Sequence, residues 1–211
     1  MAARVSESFV LRTYPFREAD LVVSFFTRDE GKLRGVARRA RKPKSPFGSG
    51  LERLSHVRMA YFQRENAELA TLTGCELIDS PFAMQADYDR SLALDFFTEA
   101  TEHLLPAHEV NEKFFRLLKT CVDSLRLKGE LWAAVTYFSL WAVRLGGYLP
   151  ELRVSSESAE IAEEMFGTPL ADLTAREWSN TTARDLRRAL IRAMEQHVER
   201  RFLTAPMLEA L

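Results

Sequence analysis

The sequence predicts an α+β chain, with a five-stranded barrel over residues 1–80 and an all-helical region over 81–211. Three observations carry this. The first 80 residues hold five short runs rich in β-branched and aromatic residues, each closed by turn residues. Gly31, Gly35 and Gly74 fall where a small barrel has to bend. From Ser80-Pro81 onward the apolar residues recur at helical spacing.

The strands follow in order. Residues 5–14 (VSESFVLRTY) alternate loosely, and Pro15 with Phe16-Arg17-Glu18 turns the chain. Leu21 to Thr27 (LVVSFFT) is apolar on both faces, as a curled sheet requires. Arg28-Asp29-Glu30-Gly31 closes a hairpin, with Gly31 free to take a positive φ. Lys32 to Arg39 is the third strand and Leu54 to Gln63 the fourth. Arg64 to Ala67 turns the chain into a fifth, Glu68 to Ile78, with a bulge expected at Gly74. Five such strands suggest an OB-fold, with an SH3-like barrel as the rival that strand counting does not separate.

The helical region begins at Tyr88, whose i+4 stripe runs to Leu105 before Pro106. Asp87 and Asp89 suit its start. Asn111 caps a second helix that ends near Gly129. Leu131 to Leu145 is apolar nearly all round and therefore central. A short helix is expected near 157–166, and another from Thr174 through a capping box with Glu177. Thr182 opens a last strong helix, with Leu186, Leu190, Met194 and Val198 on one face and Arg184, Arg188 and Arg192 on another.

Charge divides the chain. The formal net charge is −1, yet residues 1–80 carry +4 and residues 81–211 carry −5. Cys75 and Cys121 are too few for a disulfide framework or a four-Cys zinc site, and read as buried thiols. The longest apolar run has 13 residues and no signal-like segment opens the chain, so a cytoplasmic protein is expected. A Walker-type phosphate loop and a G-x-S-x-G nucleophile are absent. His103 and His108 flank Pro106 at a helix end, where metal binding is not expected, and Glu99 and Glu102 read as solvated.

The positive excess is concentrated in residues 31–50, GKLRGVARRARKPKSPFGSG, which contain no acid. Lys32, Arg34, Arg38, Arg39, Arg41, Lys42 and Lys44 lie on a strand that runs into a loop broken by Pro and Gly. Cations set along extended backbone and carried on by a loop can follow a line of phosphates. Phe47, inside the loop, is the expected base-stacking ring, with Tyr61 behind it. One of Phe25 and Phe26 has to leave the barrel interior, and packing under the helical half is its expected fate. The competing uses of the loop are a plain solvated surface, or a grip on an acidic protein partner.

The run from Phe9 to Met59 resembles the N-terminal domain of the RecO family of bacterial recombination mediators. The resemblance rests on Leu11-Arg12-Thr13 with Glu18-x-Asp20, Phe26-Thr27-Arg28-x-x-Gly31-Lys32, and Gly35-x-Ala37-x-x-Ala40-Arg41-x-Pro43-x-Ser45. Leu69-x-Thr71-Leu72-Thr73 and Gly147-Tyr148-x-Pro150 fit as well. It implies an OB-fold and a helical domain, binding to single- and double-stranded DNA, and annealing of complementary strands without nucleotide hydrolysis, so no enzyme and no cofactor. It also implies RecR and the single-stranded-DNA-binding protein as partners in loading RecA. An acidic tail of the latter would meet local cations such as Lys119, Arg126 or Arg144. Many relatives carry a four-Cys zinc module after Gly-Tyr-x-Pro; here that place reads ELRVSSESAEIAEE, without Cys.

Overall fold

The computed structural model describes residues 3–63 and 67–211; the turn expected at Arg64 to Asn66 lies outside the described residues. The chain forms two compact units. One takes the residues through Ala83 together with Leu105–Phe115, and the other takes Met84–Leu104 and Arg116–Leu211.

The first unit is a closed barrel of β1 (Arg4–Phe16), β2 (Asp20–Thr27), β3 (Gly31–Ala37), β4 (His56–Phe62) and β5 (Ala70–Asp79). Its order is β1-β2-β3-β5-β4, with β4 returning to β1. β5 enters between β3 and β4 and runs parallel to β3. That order settles the choice of barrel in favour of the OB type. Val10, Val23, Phe25, Leu33, Met59, Tyr61 and Leu72 fill the interior, each almost fully buried. Gly35 makes room for Leu72, since a Cβ at position 35 would stand 2.6 Å from Leu72 Cδ2. Register shifts leave Leu11 on β1 and Thr73 and Ile78 on β5 as extra residues, so the expected bulge falls beside Gly74.

The outward face of β1 and β2 is apolar at one end, where Phe9 and Phe26 point away from the core. Both are buried there by Phe115, at ring-centroid distances of 5.1 and 5.6 Å, and Phe26 also meets Phe114 at 6.2 Å. Phe25 is the inward member of the pair and packs edge-on against Tyr61. His56 stacks on Phe9 at 4.7 Å while its Nε2 lies 2.7 Å from Glu7 Oε1. Leu105–Phe115 therefore belongs with the barrel through packed aromatic rings. At Gly31, where φ is +75°, a Cβ would stand 2.2 Å from the Glu109 carbonyl oxygen.

The second unit holds helices α1 (Tyr88–Leu104), α3 (Leu131–Leu145), α4 (Ser156–Gly167), α5 (Arg184–His197) and α6 (Ala205–Glu209). Helix α2 (Glu112–Arg126) contributes its residues from Arg116 on. Asp87 Oδ1 accepts the Arg90 N–H at the start of α1, and Asn111 Oδ1 accepts that of Phe114 at the start of α2. α3 is buried on nearly all sides, and Thr136 and Ser139 satisfy their hydroxyls by donating to carbonyls one turn back. Phe96, Phe97, Phe138 and Phe202 form one aromatic cluster around α1 and α3.

Helical-region expectations fail at Thr174, at Glu99 and Glu102, and at the last long helix, which starts at Arg184 and ends at His197, short of Val198. No helix starts at Thr174. Its N–H donates to Glu164 Oε1 at 2.6 Å and Arg176 pairs with the same carboxylate, so these tertiary contacts replace the local cap. Glu99 is not solvated. It is buried, and its carboxylate accepts the N–H groups of Leu203 and Thr204 at 2.8 and 2.9 Å and the Thr204 hydroxyl at 2.6 Å. Glu102 is buried as well.

Candidate nucleic-acid interface

β3 stops at Ala37, two residues short of its expected end. The backbone turns at once, and Arg39 takes φ +56°, so Arg38 and Arg39 lie on the turns and not on the strand. Residues 38–54 form a succession of turns fixed to the β1–β2 hairpin. The Arg39 N–H donates to Asp20 Oδ1 at 2.8 Å, and the Arg41 N–H donates to the Ala19 carbonyl at 3.1 Å. The Arg41 guanidinium reaches the Glu18 carbonyl at 3.4 Å. Lys44 takes a second left-handed conformation, with φ +62°.

Phe47 is the main correction. It is 3% exposed and belongs to the interior cluster of the barrel, with Leu51, Ala40 and Cys75 packed around that cluster. Its carbonyl accepts from the Gly50 N–H at 2.9 Å and from the Cys75 thiol at 3.3 Å. The ring is a plug that seats the basic turns on the barrel, because burial of so large an apolar surface outweighs any gain from leaving it in water. It cannot stack a base from there. Tyr61 is buried too and is equally out of reach.

The cations divide into two groups. Arg4 pairs with Glu30, Arg28 with Glu7 and Glu112, and Arg58 with Glu76. Arg38, Arg39, Arg41, Lys42 and Lys44 are all exposed, and among the described residues none of them forms an ion pair. Lys32 and Arg34 sit further back on β3, half-buried and exposed respectively. Arg34 shares a cross-strand row with Arg12 through Ser24, which extends the basic surface onto β1. Arg12 enters the sequence reading only within Leu11-Arg12-Thr13, with no binding role; the register is what places it in this row.

The cations expected to receive an acidic tail are engaged within the helical unit. Lys119 and Arg126 both pair with Asp123, and the Arg144 guanidinium lies 4.3 Å from the Phe166 ring centroid. Arg188 pairs with Glu209, and Arg187, on the same helix, is buried. Arg187 donates to the carbonyls of Asn180 and Thr182 and stands over the Trp132 ring. Burial, with Arg184 and Arg188 close by, lowers its pKa to about 10. Burial pushes the Cys75 thiol up to about 11 and that of Cys121 higher still. Neither thiol is activated. Among the described residues no group of three His, Cys, Asp or Glu side chains could hold a metal ion. Nor is any helix among them long and apolar enough to cross a membrane.

An OB-type barrel with an exposed basic rim, continued by a helical region, defines the class of protein. Two family models match along it, "Recombination protein O N terminal" over residues 1–81 and "Recombination protein O C terminal" over 85–164. A DNA repair protein RecO from Koribacter versatilis is 40% identical, with 98% of each chain aligned. The RecO proteins of Syntrophus aciditrophicus and Symbiobacterium thermophilum are 27% and 35% identical over 72% and 62% of this chain, and 58% and 49% of their own. The chain belongs to the RecO family.

Proposed function

We propose that this chain is a non-enzymatic DNA-binding mediator of recombination. It binds single- and double-stranded DNA through the basic turns of its barrel and anneals complementary strands. With RecR and the acidic tail of the single-stranded-DNA-binding protein as partners, it helps to load RecA onto coated single strands in the cytoplasm. The observation that carries the reading is the set of five exposed cations, Arg38 to Lys44, whose side chains form no ion pair among the described residues of an OB barrel. The names of the relatives, DNA repair proteins all, support it. The mechanism is charge neutralisation. Two strands held against the same cations repel each other less, and base pairing supplies the free energy. Neither ATP nor Mg²⁺ enters this scheme.

The test is a salt series of fluorescence anisotropy with single-stranded and duplex DNA. A variant carrying Arg39→Glu, Arg41→Glu and Lys44→Glu should lose measurable binding at moderate salt for both forms. Single neutralisations should each reduce the salt slope by about one unit. Wild-type affinity and slope in the triple variant would refute the assignment. Annealing that stops in EDTA would refute the metal-free scheme.

A further inference from the structure

We propose that the outward face of the β1–β2 hairpin is a base-stacking platform for single-stranded nucleic acid, with Tyr14 and Phe16 as its rings. This rests on the DNA-binding reading above and adds the part of the surface that tells a single strand from a duplex.

Residues directly opposite each other in an antiparallel pair share a face. Tyr14 lies opposite Val22, Val22 opposite Val36, and Phe16 opposite Asp20. Val23 and Phe25 alternate with Val22 and point into the core, so this row points out. The extra residue Leu11 decides the matter. Strict alternation from the inward Val10 would turn Arg12 and Tyr14 inward, and the register shift between Val10 and Arg12 reverses them.

The same outward face is treated differently at its two ends. Phe9 and Phe26 are covered by Phe114 and Phe115. Tyr14 and Phe16 remain 40% and 37% exposed. Cations lie close to them, although Asp20 is the cross-strand partner of Phe16. The Arg17 guanidinium lies 5.3 Å from the Phe16 ring centroid, and the Arg12–Arg34 row is the next along the sheet. The basic turns are bonded to Glu18, Ala19 and Asp20, the residues that follow these rings. Open aromatic faces beside backbone-tracking cations are the combination that holds unpaired bases in sequence-tolerant binding. A duplex keeps its bases stacked inside and offers only phosphates, so the rings add little to duplex affinity. An acidic peptide would use the cations and have no need of the rings.

The experiment uses the full chain, with oligothymidylate and a duplex of equal length as probes. A Tyr14→Ala, Phe16→Ala double variant should weaken oligothymidylate binding about tenfold or more while duplex affinity and salt slope stay unchanged. Tyr14→Phe should bind as the wild type does. Equal loss on both probes, or no loss on the single strand, overturns the proposal. If the double variant folds poorly, a Tyr14→Trp variant gives a second readout. Its added emission should be quenched by oligothymidylate and not by duplex, and quenching by neither overturns the proposal. The charge-reversal variant keeps the two readings apart. If it loses all binding while the ring variant binds both probes normally, the basic turns act without stacking. If it too binds as the wild type does, the underlying DNA reading fails.

Discussion

Replacing Phe47 by alanine should damage the barrel far more than it damages DNA binding. The ring is 3% exposed and sits among the interior side chains of all five strands. Truncating a buried phenylalanine costs about 3–5 kcal/mol, part in lost transfer energy and part in the cavity left behind. Partial relief could come from the turns settling inward. They are held, however, by the Arg39 N–H on the Asp20 carboxylate, the Arg41 N–H on the Ala19 carbonyl and the Gly50 N–H on the Phe47 carbonyl, so a loss of about 3–4 kcal/mol is expected. With a urea dependence of about 2 kcal/mol/M, the midpoint of the barrel transition should fall by about 1.5–2 M. Phe47→Leu, which keeps most of the volume, should lose less than half of that. The assay is urea unfolding followed by circular dichroism, paired with anisotropy on both DNA forms under conditions where the variant is folded. Binding to both forms should weaken together or not at all. An unmoved midpoint with a selective loss on single strands would mean that the ring lies outside and stacks on bases, which would refute this account of the loop.

Glu99→Ala should destabilise the helical unit by about 2–4 kcal/mol, because two N–H groups and a hydroxyl near α6 lose their shared buried acceptor; thermal unfolding checks it. Gly31→Ala should cost more than about 1 kcal/mol, since φ is +75° and the added Cβ meets the Glu109 backbone; the urea midpoint reads this directly. The Thr174 N–H and then the Arg176 guanidinium hold the Glu164 carboxyl below the usual range. Its contribution to stability is therefore present above about pH 4.3, the ordinary glutamate value, and lost as pH falls through the lower folded value. The stability gap between wild type and Glu164→Gln should be open at neutral pH and close toward pH 3, and a gap that stays constant would contradict the pairing.

The parts of this fold legible in the sequence are those whose residues report their own surroundings. Leu21 to Thr27 is apolar on both faces because Phe25 looks into the barrel while Phe26 looks out toward Phe114 and Phe115, and either burial demands an apolar side chain. Leu131 to Leu145 is apolar all round because α3 is buried on nearly all sides. Asn111 forms its cap with a residue three positions away, so the local sequence suffices. The basic stretch was legible as charge.

What the tertiary structure decided are the matters settled by distant partners. Thr174 and Glu177 satisfy a local capping pattern, but Glu164 offers a carboxylate from α4 and wins the Thr174 N–H. Glu99 looks like a surface acid until Leu203 and Thr204 arrive from the far end of the chain. Phe47 sits between polar, helix-breaking residues that read as solvent, yet the turns fold back and the ring finds the barrel interior. Tyr14 faces out because one extra residue, Leu11, shifts the register of β1 against β2, and no side-chain pattern records such a shift. Charge and hydrophobicity belong to residues and can be read one by one. Facing and pairing belong to contacts between segments far apart in the chain, and they come into being only when the barrel closes.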